Sequence, residues 1–148
     1  MKRVLIALGI TMSIFLYANN NNPLAPSTLD LLTAPNMWVL NNNPQSETFI
    51  YRIFTRHEVT AKRVSGTDTI GGTGLFYLSD TEDTVFDSTK VGNVENGRYI
   101  IESSIFEPTS VFEIIEFRNN NTELVRRYDS KGKNVPSVVY STWYAQFE

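Results

Sequence analysis

Short apolar stretches separated by turn-forming residues constrain the fold of this chain more than any other feature. They span residues 37–40, 48–59, 59–64, 75–78, 99–102, 111–117, 123–128 and 138–144. The segments between them are rich in Asn, Gly, Pro and Lys, and lie at 71–74, 96–97, 107–109, 119–121 and 130–133. About eight short strands at this spacing are typical of a β meander.

No helical periodicity of useful length follows Pro35. We therefore predict an all-β chain, which folds as an antiparallel up-and-down β-barrel or as a two-sheet sandwich. Asparagine clusters at 19–22, 41–43 and 119–121 are predicted as turns, because Asn tolerates left-handed backbone and bonds its own local chain.

An apolar stretch begins at Val4, directly after Lys2 and Arg3, and ends at Ala18. A charged start, an apolar run and a small final residue are typical of a secretory signal peptide. The stretch is shorter than the ~20 residues that span a hydrocarbon core, so cleavage is favoured over a membrane anchor. The predicted organisation is a signal peptide at 1–18, a polar leader at 19–30 and a β-barrel domain at 31–148.

The predicted mature protein is exported to the periplasm or the exterior and has no transmembrane helix. Near its start, Ser27 or Thr28 is expected to cap a short helical turn over 29–32. Residues 1–18 hold two basic residues and no acidic one, so their removal changes the net charge from −3 to −5. That charge disfavours nucleic acid as a partner. Cysteine is absent, so neither a disulfide nor a lipid-bearing cysteine is available.

The parity of the strands nominates interior residues. Phe49, Tyr51 and Ile53 share one face of the 48–59 stretch, while Arg52 and Arg56 share the other, so the first set is expected to point inward. In the 123–129 stretch, parity does not decide which face is buried. An arginine in a barrel interior needs a carboxylate, an aromatic face or a ligand anion, because an unpaired buried charge is expensive.

Side chains that combine an apolar body with a polar group commonly line binding cavities. On that basis the candidate ligand-contacting residues are Tyr51, Tyr77, Tyr99, Arg126 and Tyr140. The alternative is that these side chains simply fill the core of a small barrel.

Catalytic motifs are weak in this sequence. His57 is the single histidine, lies in a predicted strand and lacks a second histidine for a metal site. The acidic run at 80–87 lacks the ligand spacing and central glycine of an EF-hand, which favours a solvated loop. The glycines at 71–74 lie between strands rather than before a helix, so a phosphate-binding role is weak. We predict no enzymatic activity, cofactor or metal.

Residues 36–40 resemble the G-x-W opening strand of lipocalin-like proteins, with Asn36 in place of glycine. The middle and closing segments look like those of the small secreted lipocalin-like domains common in Bacteroidetes, at 86–87, 91–92, 96–101, 112–115, 123–128, 129–133 and 138–144. The resemblance covers residues 31–148. It implies an up-and-down barrel in which Trp38 packs near the closed end and Arg126 or Arg127 stacks on it.

Taken with the signal peptide, the resemblance predicts an exported, non-catalytic protein that holds a small, partly apolar ligand inside a lipocalin-like barrel. The alternative is an interaction module of the cell envelope, in which the core is packed and the outer face docks another envelope protein. The volume of the interior separates these two functions.

Overall fold

The computed structural model describes residues 25–40, 47–103, 109–129 and 138–147. The predicted signal peptide, half of the predicted leader, the Asn clusters at 19–22 and 41–43, residues 107–108 of the turn predicted at 107–109 and the predicted turn at 130–133 lie outside these residues.

The described residues form eight strands that pair antiparallel in chain order, and the last strand pairs with the first. The strands are β1 (Met37–Leu40), β2 (Thr48–Phe54), β3 (Glu58–Ser65), β4 (Asp68–Ser79), β5 (Tyr99–Glu102), β6 (Ser110–Arg118), β7 (Glu123–Asp129) and β8 (Val138–Gln146). The chain is thus all-β, with a closed up-and-down barrel, which confirms the predicted barrel and rules out the sandwich.

One end of the barrel is covered by helix α1 (Thr28–Thr33). Ser27 caps the helix reciprocally with Asp30, which confirms the predicted cap. Leu29 and Leu32 are buried in the core cluster, so the first residues of α1, although within the predicted leader, belong to the packed domain. Among the described residues, no helix is long and apolar enough to cross a membrane.

The turns at the α1 end follow from local chemistry. Asn119, Asn120 and Asn121 all have positive φ between β6 and β7, as predicted for that Asn cluster. The predicted single strand over 48–59 is wrong, because a turn at 55–57 divides it into β2 and β3. The Thr55 side-chain oxygen accepts a hydrogen bond from the Glu58 backbone N–H at 3.1 Å and stabilises this turn.

The glycines at 71–74 lie inside β4, so the turn predicted there is wrong. Next to Gly74 the partner of β4 changes from β3 to β5: Leu75 lies opposite Glu58, and Phe76 lies opposite Glu102. A Cβ atom at Gly74 would collide with the carbonyl oxygen of Ser103. Glycine is therefore needed where the strand turns the corner of the barrel.

Candidate ligand site in the barrel interior

The barrel wall has an inner and an outer face, and residues directly opposite one another on neighbouring strands share a face. Trp38 on β1 is fully buried in the core and lies opposite Arg52 on β2, so Arg52 faces the interior. The prediction that Phe49, Tyr51 and Ile53 point inward is therefore wrong. They face outward, and the rings of Phe49 and Tyr51 stack there with centroids 5.9 Å apart.

Three charged side chains meet inside the barrel, and we name Arg52, Glu102 and Arg126 the interior charge cluster. Glu102 forms an ion pair with Arg52, and its other carboxylate oxygen, Oε1, lies 3.8 Å from the Arg126 Nη1 atom. The Arg126 guanidinium carbon lies 4.1 Å from the Phe112 ring centroid and 4.4 Å from that of Trp143. Arg52 contacts the same two rings at 4.8 and 5.5 Å. An ion pair and aromatic faces thus partly compensate the buried positive charge.

That compensation is incomplete. Arg126 is 2 % exposed, and its Nε and Nη1 atoms have no hydrogen-bond partner. The Nε atom of Arg52 and the Oε1 atom of Glu102 are also buried without a partner. Burial, followed by the nearby charge of Arg52, lowers the pKa of Arg126 well below its ordinary value, while Glu102 opposes that effect. A buried charged donor without an acceptor costs more than the ~1–3 kcal/mol of a neutral one.

Beyond the cluster lies the end of the barrel opposite α1, which we name the far end. Arg52 lies opposite Ala61 on β3, and Ala61 lies opposite Gly72 on β4, so the inner face next to Arg52 carries small residues. Ile70 and Val139 share the inner face nearer the far end, yet they are 66 % and 50 % exposed. Apolar surface of the interior therefore reaches solvent at this end.

The structure brings one of the five predicted ligand-contacting residues, Arg126, into the interior. Tyr51 and Tyr140 lie on the outer face, and Tyr140 is 64 % exposed. Tyr77 is buried on the outside of the wall, beneath the segment that joins β4 and β5. Tyr99 lies on the outer face opposite Glu113. That these residues contact a ligand stays a prediction. The four tyrosines do not share the barrel interior with Arg126.

Sequence reasoning missed Arg52 and Glu102 as members of the site. The available signal was the parity of β5, because Glu102 shares a face with Ile100, and Ile100 is fully buried. A carboxylate on a buried face points to a buried cation as its partner.

Arg127, the neighbour of Arg126, faces outward. Its guanidinium donates to Glu113 at 3.0 Å and to Asp129 at 3.2 Å. The hydrogen bond from Arg127, with a further one from Arg98, holds the pKa of Glu113 below its ordinary value despite burial. This outer network therefore has acceptors for its donors, unlike the interior charge cluster.

Trp38 is fully buried near the α1 end, as predicted, but the arginine expected on its ring lies elsewhere. The indole N–H of Trp38 donates to the Leu32 carbonyl at 2.8 Å, and its ring neighbour is Phe117, with centroids 6.2 Å apart. The guanidinium of Arg126 lies over Phe112 and Trp143 instead.

The acidic run at 80–87 belongs to the segment between β4 and β5, outside the barrel. Asp83 accepts hydrogen bonds from Lys90, Thr81 and Tyr77 at 2.7, 2.7 and 2.9 Å. These donors, led by Lys90, hold the pKa of Asp83 at about 2. The carboxylate therefore anchors the segment to the wall. Among the described residues, no group of three or more His, Asp or Glu side chains is placed to hold a metal ion.

Acid should weaken this anchor. Because the folded pKa of Asp83 lies below its ordinary value of 3.8, its contribution to stability is complete above pH ~4 and is lost as the pH falls through about 2. We expect the wild type to lose more unfolding free energy between pH 5 and pH 2.5 than Asp83→Asn, measured by urea denaturation. Asp80→Asn is the control, since Asp80 is exposed. Equal losses in the wild type and Asp83→Asn would contradict this role.

A search with protein-family models finds none that matches this chain, and a search of curated proteins finds no match either.

Proposed function

We propose that this protein is an exported, non-catalytic binding protein that holds a small, partly apolar ligand inside its barrel. The interior charge cluster is the observation that carries the proposal. It presents buried N–H donors without acceptors, among aromatic rings, and apolar side chains of the inner face are exposed at the far end. A few polar groups within a mostly apolar concavity are the usual composition of a small-molecule site.

A binding role fits the groups in the cluster better than a catalytic role. Arg52 and Arg126 offer in-plane N–H donors and no acceptor, and Glu102 is already engaged with Arg52. Such groups recognise and orient a ligand without transferring a proton. The resemblance to lipocalin-like domains supports the same function and includes export, which we keep as part of the proposal.

A direct test uses the intrinsic fluorescence of Trp143, which lies beside Arg126. Purified mature protein is expected to release a co-purifying small molecule in native mass spectrometry, and to change its tryptophan emission when titrated with fatty acids and similar amphiphiles. Trp38→Phe is the control, because the response should come from Trp143 and persist. No retained molecule and no response would overturn the proposal.

The alternative function, docking of an envelope protein, is favoured by a second observation. Val39 on the outer face lies opposite Tyr51 on β2 and Tyr144 on β8, and the exposed rings of Phe49 and Tyr140 share that outer face. Aromatic residues on a surface are common anchors of interfaces. Failure of the ligand test would leave this outer face as the better candidate.

Export makes its own prediction. If residues 1–18 are a signal peptide, the exported protein begins after Ala18, and its intact mass lacks those residues. The measurement is intact-mass spectrometry of protein from the extracellular or periplasmic fraction. A full-length mass recovered from membranes would contradict cleavage.

A further inference from the structure

We propose that the ligand carries a single negative charge, a carboxylate, which binds the guanidinium groups of Arg126 and Arg52, with its apolar body directed toward the far end. This inference rests on the proposed function and names the chemistry of the ligand at the same site.

Charge balance gives the first step of the argument. The interior charge cluster holds two arginines and one glutamate, so it is left with one uncompensated positive charge. Burial makes that charge expensive, since water is largely excluded from a side chain that is 2 % exposed. One negative charge neutralises the cluster. A dianion would add repulsion against Glu102, and a cation would add to the existing excess.

Hydrogen-bond geometry gives the second step. The unpartnered atoms are mainly donors: Nε and Nη1 of Arg126, and Nε of Arg52. The rings of Phe112 and Trp143 lie over the guanidinium groups, and such stacking leaves the N–H groups free in the guanidinium plane. A carboxylate is planar and offers two acceptor oxygens, so it matches an arginine edge.

The neighbouring wall gives the third step. Ala61 and Gly72, which lie in register with Arg52 on the inner face, carry little or no side chain. Farther along the inner face, Ile70 and Val139 present exposed apolar surface, and the exposed side chain of Arg63 lies opposite Ile70 on the same face. An amphipathic monoanion places its charge at the cluster and its body along these residues, and a ligand with only one of the two parts would lose one of the two contacts.

The test compares probes that share one body and differ in the polar end. Dodecanoate, dodecanol and dodecylammonium are titrated into mature protein below their micellar concentrations, with tryptophan emission as the readout. We expect dodecanoate to bind at least tenfold more tightly than dodecanol, and dodecylammonium to bind more weakly than either. Hexanoate and hexadecanoate, each with its alcohol, repeat the comparison with shorter and longer bodies.

Two variants localise the effect. Arg126→Met is expected to abolish the preference for dodecanoate over dodecanol while dodecanol binds as before; near-ultraviolet circular dichroism checks that the variant is folded. Arg127→Met is the matched control, because its guanidinium is on the outer face, and it should keep the preference. Arg52→Met should reduce the preference in the same direction as Arg126→Met.

The outcomes separate the inference from the proposed function. Equal affinity for acid and alcohol in the wild type overturns the carboxylate assignment and leaves a barrel that binds apolar molecules. An equal loss of preference in Arg127→Met and Arg126→Met also overturns it, because the charge would then act from outside. Failure of every probe to bind overturns the proposed function itself.

Discussion

Glu102→Gln is expected to lower the unfolding free energy by about 3–5 kcal/mol, the range for breaking a buried ion pair by removing one partner. The substitution keeps the shape of the side chain and removes its charge. Arg52 and Arg126 then face each other inside the barrel with no anion between them. Urea denaturation followed by tryptophan emission gives the measurement.

Two comparisons make this expectation specific. Glu113→Gln is the matched control, since Glu113 is 7 % exposed against 5 % for Glu102, but its partners Arg98 and Arg127 reach solvent. Its loss should be smaller, because exposed cations remain hydrated when their partner is removed. Adding Arg126→Met to Glu102→Gln should restore part of the stability, because one cation is gone. Equal losses in the two glutamine variants would contradict a buried, uncompensated cluster.

Trp38→Ala is expected to cost about 3–5 kcal/mol, the usual range for deleting a core aromatic side chain. Trp38 is fully buried, packs against Phe117, and ties α1 to β1 through its hydrogen bond to the Leu32 carbonyl. The indole therefore joins the covering helix to the wall as well as filling the core.

Trp38→Phe separates these two contributions. The phenyl ring keeps much of the packing and loses the hydrogen bond, so the Leu32 carbonyl is left buried and the cost should be about 1–3 kcal/mol. Chemical denaturation, with the midpoint and slope fitted separately, gives both values. An unchanged midpoint for Trp38→Ala would show that the α1 end does not depend on this residue.

The sequence predicted the strands better than it predicted their faces. β1 and β5 agree with their predicted bounds, and the Ser27 cap and the Asn119 turn were also predicted, because each depends on chemistry within a few residues. The faces depend on distant pairing. On β2, both faces carry mostly apolar side chains, and the charge of Arg52 favours solvent exposure of its face. The pairing of Arg52 with Glu102, fifty positions away, is what keeps this charge in the interior.

Two further differences between the sequence pattern and the structure, in β6 and β4, have local physical causes. A β-bulge at Ile115 shifts the register of β6 against β7, so Ile114 and Phe117 both pack on the core although their spacing does not fit strict alternation. The glycines around Gly74 predict a turn because glycine is common in turns. In the barrel they allow close approach at a corner, and sequence alone does not distinguish these two uses.

The pairing of β1 with β8 also constrains the order in which the barrel can form. The other seven pairings join strands that are consecutive in sequence, whereas the seam at Trp38 and Ala145 joins positions near opposite ends of the described chain. Closing a loop of that length costs ~4 kcal/mol of chain entropy before any hydrogen bond of the β1–β8 seam forms. Hairpins can therefore form early, but one edge of β1 stays unpaired until β8 is present, and the barrel becomes complete only in that final, slow step.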